Sequence, residues 1–140
     1  LGSLQACYDN NFLEDQKIVA IVSLYTPILN AQKLTNKGIT IFHLKISDNI
    51  GLKTNLVLLE NMDKIYDFIN HFKKKGNVLI HCHYGWQRSA SVCTGYLMRE
   101  YKLSKDSAIK IIQSKRKFAL FPESSFDLAL RLYEKKLKLK

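Results

Sequence analysis

The segment NVLIHCHYGWQRSASVCTGYL, residues 77–97, constrains the fold more than any other part of the chain. Its first six residues form an apolar stretch short enough for a buried strand. Beyond a short loop, Val92, Cys93, Tyr96 and Leu97 recur at helical spacing. A buried strand that runs through a short loop into a helix is typical of α/β proteins, so this segment favours that class.

Other stretches of the chain repeat this alternation. KIVAIVSL, residues 17–24, is β-branched and apolar almost throughout, which predicts a strand buried on both faces. ITIFHLKI, residues 39–46, predicts a second strand, which ends at the polar residues SDN and at Gly51. Strands that alternate with helices predict a three-layer α/β sandwich, in which helices flank a central, mostly parallel sheet.

Three further helices are predicted from apolar spacing and capping residues. The first begins at about Thr54 and ends at residues 73–75 with Gly76. Ser104 is a candidate cap for a second helix that runs through about Arg116, and Pro122 is expected to open the last one. The apolar positions that define the first and last helices are Leu58, Met62, Ile65, Ile69 and Phe72, and Phe126, Leu130 and Leu137.

Composition limits the class of protein. A length of 140 residues suits one domain, residues 1–140, that needs no disulfide or structural metal. The three cysteines are an odd number without a C-x-x-C pair, which favours a reducing compartment. No stretch is long enough to cross a bilayer and no signal peptide is evident, so a soluble, intracellular protein of the cytoplasm or nucleus is expected.

The formal net charge of +10 indicates anionic partners: phosphorylated protein, nucleic acid or an acidic membrane surface. Charge alone does not choose among them. Much of the excess lies around residues 115–117 and in the terminal EKKLKLK, where the simplest interpretation is a solvated helical face.

The loop after residue 81 carries residues suited to phosphate chemistry. Cys82 lies at the carboxyl end of a strand and before a helix, where α/β proteins bind anions. A free cysteine has a pKa of about 8.5, but beside a helix N-terminus and a cation its pKa falls to roughly 3.5–7.5. Arg88 supplies the cation and can bind two phosphate oxygens at once. Gly85 lets the backbone fold around an anion, and Ser89 can donate a hydrogen bond to the thiolate.

The full pattern is more specific than a cysteine and an arginine alone. His-Cys, five residues that include Gly85, and Arg-Ser stand between an apolar strand and a helix. This pattern resembles the signature of the protein tyrosine phosphatase superfamily, and the size and order of the chain resemble its small dual-specificity branch. LGSLQACYDNNFL, IVAIVSL and HLKISDN resemble the family's opening, its next core strand, and the strand and loop that carry the general acid. The resemblance covers essentially the whole chain and implies a protein tyrosine phosphatase-like fold.

The resemblance also implies roles for individual residues. Cys82 would be the nucleophile, Arg88 the phosphate clamp, Ser89 the helper for the leaving thiolate and Asp48 the general acid. His81 would support the loop by hydrogen bonding. No metal or cofactor is implied.

The loop residues His83, Tyr84, Gly85, Trp86 and Gln87 would bind substrate. Many relatives have a small residue where Tyr84 stands, so the bulky rim of Tyr84, Trp86 and Gln87 leaves substrate preference open. The implied reaction is metal-free hydrolysis of phosphotyrosine, and also of phosphoserine and phosphothreonine, in proteins through a phosphocysteine.

Two alternatives remain open at this point. An RNA 5′-phosphatase of the same superfamily would use the positive charge and the aromatic rim, and a noncatalytic module would bind phosphoproteins without turnover. A phosphoinositide phosphatase is less favoured, because the loop contains no lysine.

Individual residues also have alternative interpretations. Asp48 could instead be a turn residue, although Asp63 and Asp67 fall within a predicted helix and are weaker candidates for the acid. Cys93 is expected in the core. Nothing in the sequence supports Cys7 as a redox partner of Cys82, and the oligomeric state is not predicted.

Overall fold

The computed structural model describes residues 1–2, 8–24, 31–46, 51–82, 87–121 and 125–138. Within these ranges helices and strands alternate as far as residue 81, and helices alone follow. The elements in chain order are α1 (Asn10–Asp15), β1 (Ile18–Ser23), α2 (Ala31–Asn36), β2 (Thr40–His43), α3 (Leu52–Lys73), β3 (Asn77–His81), α4 (Arg88–Glu100), α5 (Lys105–Lys115) and α6 (Asp127–Lys138).

The three strands form one sheet in the order β2-β1-β3, and both pairings are parallel. Ser23, at the end of β1, pairs with His43 of β2 and with His81 of β3. Gly2 continues the sheet past β3, because its N–H donates to the carbonyl oxygen of Ile80 at 2.7 Å. The carboxyl ends of all three strands therefore meet at one edge, where ligands bind in open α/β sheets.

Helices cover both faces of the sheet, which confirms the predicted three-layer sandwich. Neighbouring residues of β1 point to opposite faces, as the pleat requires. Ile21 packs with α1 and α2, whereas Val22 packs with α3, α4 and α6. Residues 20–23 are fully buried, so the prediction of a strand buried on both faces is also confirmed.

The ends of the elements differ in places from the sequence-based expectation. The helices α1 and α2 were not predicted. Strand β2 ends at His43 rather than at residue 46, although Leu44 still donates its N–H to the carbonyl oxygen of Ser23 at 2.9 Å. The last helix begins at Asp127, whereas Pro122, its predicted start, lies outside the described residues.

Local contacts explain where two of the helices begin. The predicted cap of α5 is confirmed, because the Ser104 hydroxyl accepts a hydrogen bond from the N–H of Ser107 at 3.2 Å. Helix α3 begins at Leu52, two residues before the predicted start. There the N–H of Gly51 donates to the hydroxyl of Thr54 at 2.8 Å and closes the first turn.

Two glycines permit close packing between elements. A Cβ at Gly76 would lie 2.6 Å from a methyl carbon of Val19 and 2.7 Å from the carbonyl oxygen of Lys17. A Cβ at Gly95 would collide with the side chain of Met62. Gly76 therefore does more than end α3, since it lets the chain pass close to the start of β1, and Gly95 lets α3 and α4 approach each other.

Candidate active site

The candidate site lies where β3 leads into α4. Cys82 follows the last residue of β3, and Arg88 is the first residue of α4. Cys82 is buried, with 2% of its surface exposed. Helix α4 begins six residues after Cys82, so its unpaired backbone N–H groups are available to an anion held by this loop. Of the predicted rim, only Gln87 falls within the described residues. His83, Tyr84, Gly85 and Trp86 lie outside them.

The side chain of Ser89 lies against the thiol of Cys82. The Ser89 Oγ is 3.3 Å from the Cys82 Sγ, and both residues are buried. A hydroxyl at this distance can donate a hydrogen bond to a thiolate, and the bond is stronger when the sulfur carries a full negative charge. The contact therefore fits a residue that stabilises Cys82 as an anion.

Arg88 connects α4 with the chain segment that leads to Asp48. Its Nη1 donates to the carbonyl oxygen of Ile46 at 3.0 Å, and only 9% of the residue is exposed. Ile46 is itself buried and stands two residues before Asp48. Asp48 lies outside the described residues, but this hydrogen bond brings the beginning of its segment to the helix that opens with Arg88.

His81 lies behind the loop, at the end of β3. Its Nδ1 is 3.2 Å from the carbonyl oxygen of Cys82, which can only accept, so Nδ1 carries the proton. Burial lowers the pKa of His81 and outweighs the hydrogen bond to the Cys82 carbonyl, which raises it, while nearby His43 adds to the lowering. The ring is therefore neutral at pH 7. Within the described part of the chain, its Nε2 and the hydroxyl of neighbouring Ser23 have no hydrogen-bond partner.

Gln87 holds a distant part of the chain beside the loop. Its Oε1 accepts a hydrogen bond from the backbone N–H of Ser125 at 2.8 Å. Ser125 immediately precedes Phe126 and α6, so the connection between α5 and α6 is attached next to Arg88. This contact could not be predicted from the sequence, because one of its partners is a backbone atom 38 residues away.

Two of the other candidates from the sequence, Asp63 and Cys93, have structural contacts. Asp63 and Asp67 lie in α3, as predicted. Asp63 binds Lys136 at 2.7 Å and Arg99 at 2.6 Å, and the hydrogen bond from Lys136 is the main cause that lowers the pKa of Asp63. An ion-paired carboxylate of this kind is a poor proton donor. Burial raises the pKa of the Cys93 thiol, which packs against the core as expected. Cys7 lies outside the described residues.

The described ranges contain neither a metal-binding cluster nor a membrane-spanning helix. No group of three or more His, Cys, Asp or Glu side chains there is placed to hold a metal ion. No helix among the described residues is both long and apolar enough to cross a membrane.

A comparison with family models agrees with this site, in which a serine hydroxyl lies beside a buried cysteine and a buried arginine begins the next helix. The model of the dual specificity phosphatase catalytic domain matches residues 1–136. The chain belongs to this family.

Individual relatives agree with this assignment. The chain is 30% identical over 141 residues to dual specificity protein phosphatase MPK-4 of Drosophila melanogaster, a match that covers 96% of this chain and 34% of that protein. It is 28% identical over 137 residues to dual specificity protein phosphatase 19 of Mus musculus, covering 96% of this chain and 58% of that one. The chain thus spans about a third of the length of the first relative and somewhat more than half of the second.

A solved structure confirms the protein tyrosine phosphatase-like fold. The crystal structure of human DUSP28 superimposes with a TM-score of 0.85 at 26% sequence identity. The match covers 99% of this chain and 92% of the human one. The arrangement of helices around the parallel sheet is therefore that of a dual specificity phosphatase.

Proposed function

We propose that the protein is a cysteine-dependent phosphatase that hydrolyses phosphotyrosine, phosphoserine and phosphothreonine in proteins through a phosphocysteine intermediate, and that residues 1–140 form its catalytic domain. The observation that carries this proposal is the 3.3 Å contact between the Ser89 Oγ and the buried Cys82 Sγ, directly before the helix that Arg88 begins. The relatives named above are protein phosphatases, which supports phosphoproteins as the substrate class.

In the first step, the thiolate of Cys82 attacks phosphorus and the bond between phosphorus and the substrate oxygen breaks. Asp48 donates a proton to the departing oxygen, so that a phenol or an alcohol leaves rather than its anion. Arg88 and the backbone N–H groups of residues 83–88 bind the remaining phosphate oxygens. The guanidinium has five N–H donors, so it can bind two phosphate oxygens and keep its hydrogen bond to Ile46.

In the second step, a water molecule attacks the phosphocysteine. Asp48, now ionised, accepts a proton from this water, and the sulfur–phosphorus bond breaks to release inorganic phosphate. The sulfur leaves as a thiolate, and the hydroxyl of Ser89 donates a hydrogen bond to it. His81 remains neutral and holds the carbonyl of Cys82 by a hydrogen bond from its Nδ1.

The alternatives have less support. No relative named above is an RNA phosphatase, and a phosphoanhydride leaving group is a weak base that has little need of Asp48. A noncatalytic binding module would have no use for a hydroxyl placed against the cysteine sulfur. We also propose that the protein acts inside the cell, in the cytoplasm or nucleus, because a reactive thiolate stays reduced there.

The test compares the protein with its Cys82→Ser variant on a phosphotyrosine peptide, a phosphothreonine peptide and a 5′-triphosphorylated RNA. We expect the protein to hydrolyse the peptides, and we expect the variant to bind them without turnover. Acid quench of the protein during turnover should trap phosphate on Cys82, up to one equivalent per chain. Turnover of the RNA alone would favour the RNA phosphatase. Binding without turnover by the unmodified protein would favour the binding module.

A further inference from the structure

The chain after α5 exposes two phenylalanines beside lysines. In the sequence KRKFALF, residues 115–121, Ala119 and Leu120 are fully buried, whereas Phe118 is 56% and Phe121 61% exposed. The two rings meet edge to face with centroids 6.4 Å apart. Lys115 and Lys117 are exposed as well. We call Lys115, Lys117, Phe118 and Phe121 the aromatic-basic surface.

Such a pair is unusual for a surface that contacts only water. A single exposed apolar residue is ordinary, but apolar side chains that contact each other and are rimmed by charge mark an interaction site. The buried pair, Ala119 and Leu120, already fixes this segment to the protein.

The segment that carries the aromatic-basic surface packs against the first turn of α4, next to the candidate active site. Ala119 and Leu120 pack in one cluster with Ala90, which stands two residues after Arg88 in the first turn of α4. At the other end of the same connection, the backbone N–H of Ser125 is bound to Gln87. Ala119 and Leu120 on one side, and Ser125 on the other, thus attach the chain between α5 and α6 to the helix start that would hold the phosphate. A chain that continues from a bound phosphoresidue would run close to that connection.

Charge and apolar surface together indicate the chemistry of that chain. Between Asp106 and Glu123 the sequence contains four cations, Lys110, Lys115, Arg116 and Lys117, and no acid. The Nζ of Lys117 is 5.6 Å from the centroid of the Phe118 ring, so one positive charge lies directly over apolar surface. A substrate segment with a carboxylate and a large apolar side chain would pair with both the positive charge and the apolar rings.

We propose that the aromatic-basic surface is a substrate-docking site, which binds an acidic residue and a large apolar residue that flank the phosphoresidue of a protein substrate. The proposal rests on the proposed phosphatase function, since it takes Cys82 and Arg88 as the phosphate site. It identifies the preferred substrates as phosphoproteins whose phosphorylated segment is both acidic and apolar.

The test measures binding in the Cys82→Ser background by fluorescence anisotropy. Labelled phosphotyrosine peptides carry Glu and Leu within four residues on one side of the phosphotyrosine, on the other side, or on neither. We expect one of the flanked peptides to bind at least about fivefold more tightly than the unflanked one, as one docked aromatic anchor commonly provides. Phe118→Ser/Phe121→Ser should remove this gain. Lys115→Gln/Lys117→Gln should reduce it and weaken its dependence on salt.

Matched controls distinguish docking from a general surface effect. Tyr101→Ser removes an aromatic ring that is 63% exposed at the far end of α4. Lys74→Gln/Lys75→Gln removes two exposed lysines just before β3, at the opposite end of the sheet from Cys82. We expect both controls to keep the gain from the flank. Thermal melting of every variant checks the fold, and the single variant Phe121→Ser replaces the double one if that unfolds.

Several results would overturn the proposal. Equal affinity for all peptides would overturn it. A gain in affinity that survives Phe118→Ser/Phe121→Ser would also overturn it, as would a variant that loses the same affinity for flanked and unflanked peptides. If the variants of this surface lose binding to anionic vesicles or to RNA while their affinity for the peptides is unchanged, the surface binds those ligands instead. Because the binding arm needs no turnover, it is independent of the proposed activity. A small aryl phosphate does not reach this surface, so its hydrolysis by the unmodified protein tests the proposed activity separately.

Discussion

Replacing Ser89 with alanine removes a single hydroxyl, 3.3 Å from the sulfur of Cys82, and leaves a side chain small enough for the same buried site. A hydrogen bond to a charged group contributes about 1.5–3 kcal/mol. In this site the charge is present when the thiolate leaves the phosphocysteine. At about 1.4 kcal/mol for each factor of ten, the loss slows that step by roughly 10- to 150-fold. The first step, in which the thiolate is the attacking group, should be affected far less.

The assay is rapid-quench kinetics with an aryl phosphate. We expect the Ser89→Ala variant to release a burst of about one equivalent of phenol per chain, followed by slow turnover, because breakdown of the phosphocysteine has become rate-limiting. Ser91→Ala is a matched control. Ser91 is buried in the same helix, but its hydroxyl has no hydrogen-bond partner among the described residues. Its removal should leave both steps nearly unchanged. A Ser89→Ala variant without a burst, or a Ser91→Ala variant with the same burst, would refute the assigned role.

Three further expectations follow from the site. Arg88→Lys should lower kcat/KM about 10²-fold, which is the loss expected when a reactant is misplaced by about 1 Å. The reason is that one ammonium cannot bind two phosphate oxygens and the Ile46 carbonyl, and a fully active lysine variant would contradict this. Asp48→Ala should slow hydrolysis of a phosphotyrosine peptide by about 10²–10⁴-fold, but it should slow hydrolysis of aryl phosphates with weakly basic leaving groups much less. Equal slowing across aryl phosphates of graded leaving-group basicity would show that Asp48 is not the proton donor. Because burial lowers the pKa of His81, its ring signals in NMR should titrate below the usual pKa of a histidine. The free energy of unfolding should fall as the pH drops below about 6.5, because only the unfolded chain takes up the proton there. Titration of the His81 ring at or above the usual pKa would rule this out.

The sequence predicted the elements that carry a strong pattern. Residues 17–24 and 77–82 are short, apolar and β-branched, and both became buried strands of a parallel sheet. Helix α3 carries five apolar residues at helical spacing, and its predicted start was wrong by only two residues. The helices α1 and α2 were missed because six residues make fewer than two turns, too few for an apolar repeat to be visible.

Contacts at the site were harder to predict than its chemistry. The residue types of Cys82, Arg88 and Ser89 indicated their chemistry directly. The bond from Arg88 to Ile46 joins residues 42 apart, and its acceptor is a backbone oxygen, which leaves no trace in the side-chain pattern. The ion pair of Asp63 with Lys136 spans 73 residues and was equally hidden. Asp48 lies outside the described residues, so its role stays a prediction.

The strand order has a consequence for how the chain is made. Strand β1 lies between β2 and β3, yet it precedes both in the chain, and its last residue, Ser23, pairs with His81. A ribosome that adds roughly 5–20 residues per second needs about 3–12 s to synthesise the intervening segment of about 60 residues. During that time IVAIVS, which carries no charge, has at least one unpaired edge and can pair with another nascent chain. The nascent chain is therefore most prone to aggregate before β3 leaves the ribosome, and a chaperone that binds early should bind at β1.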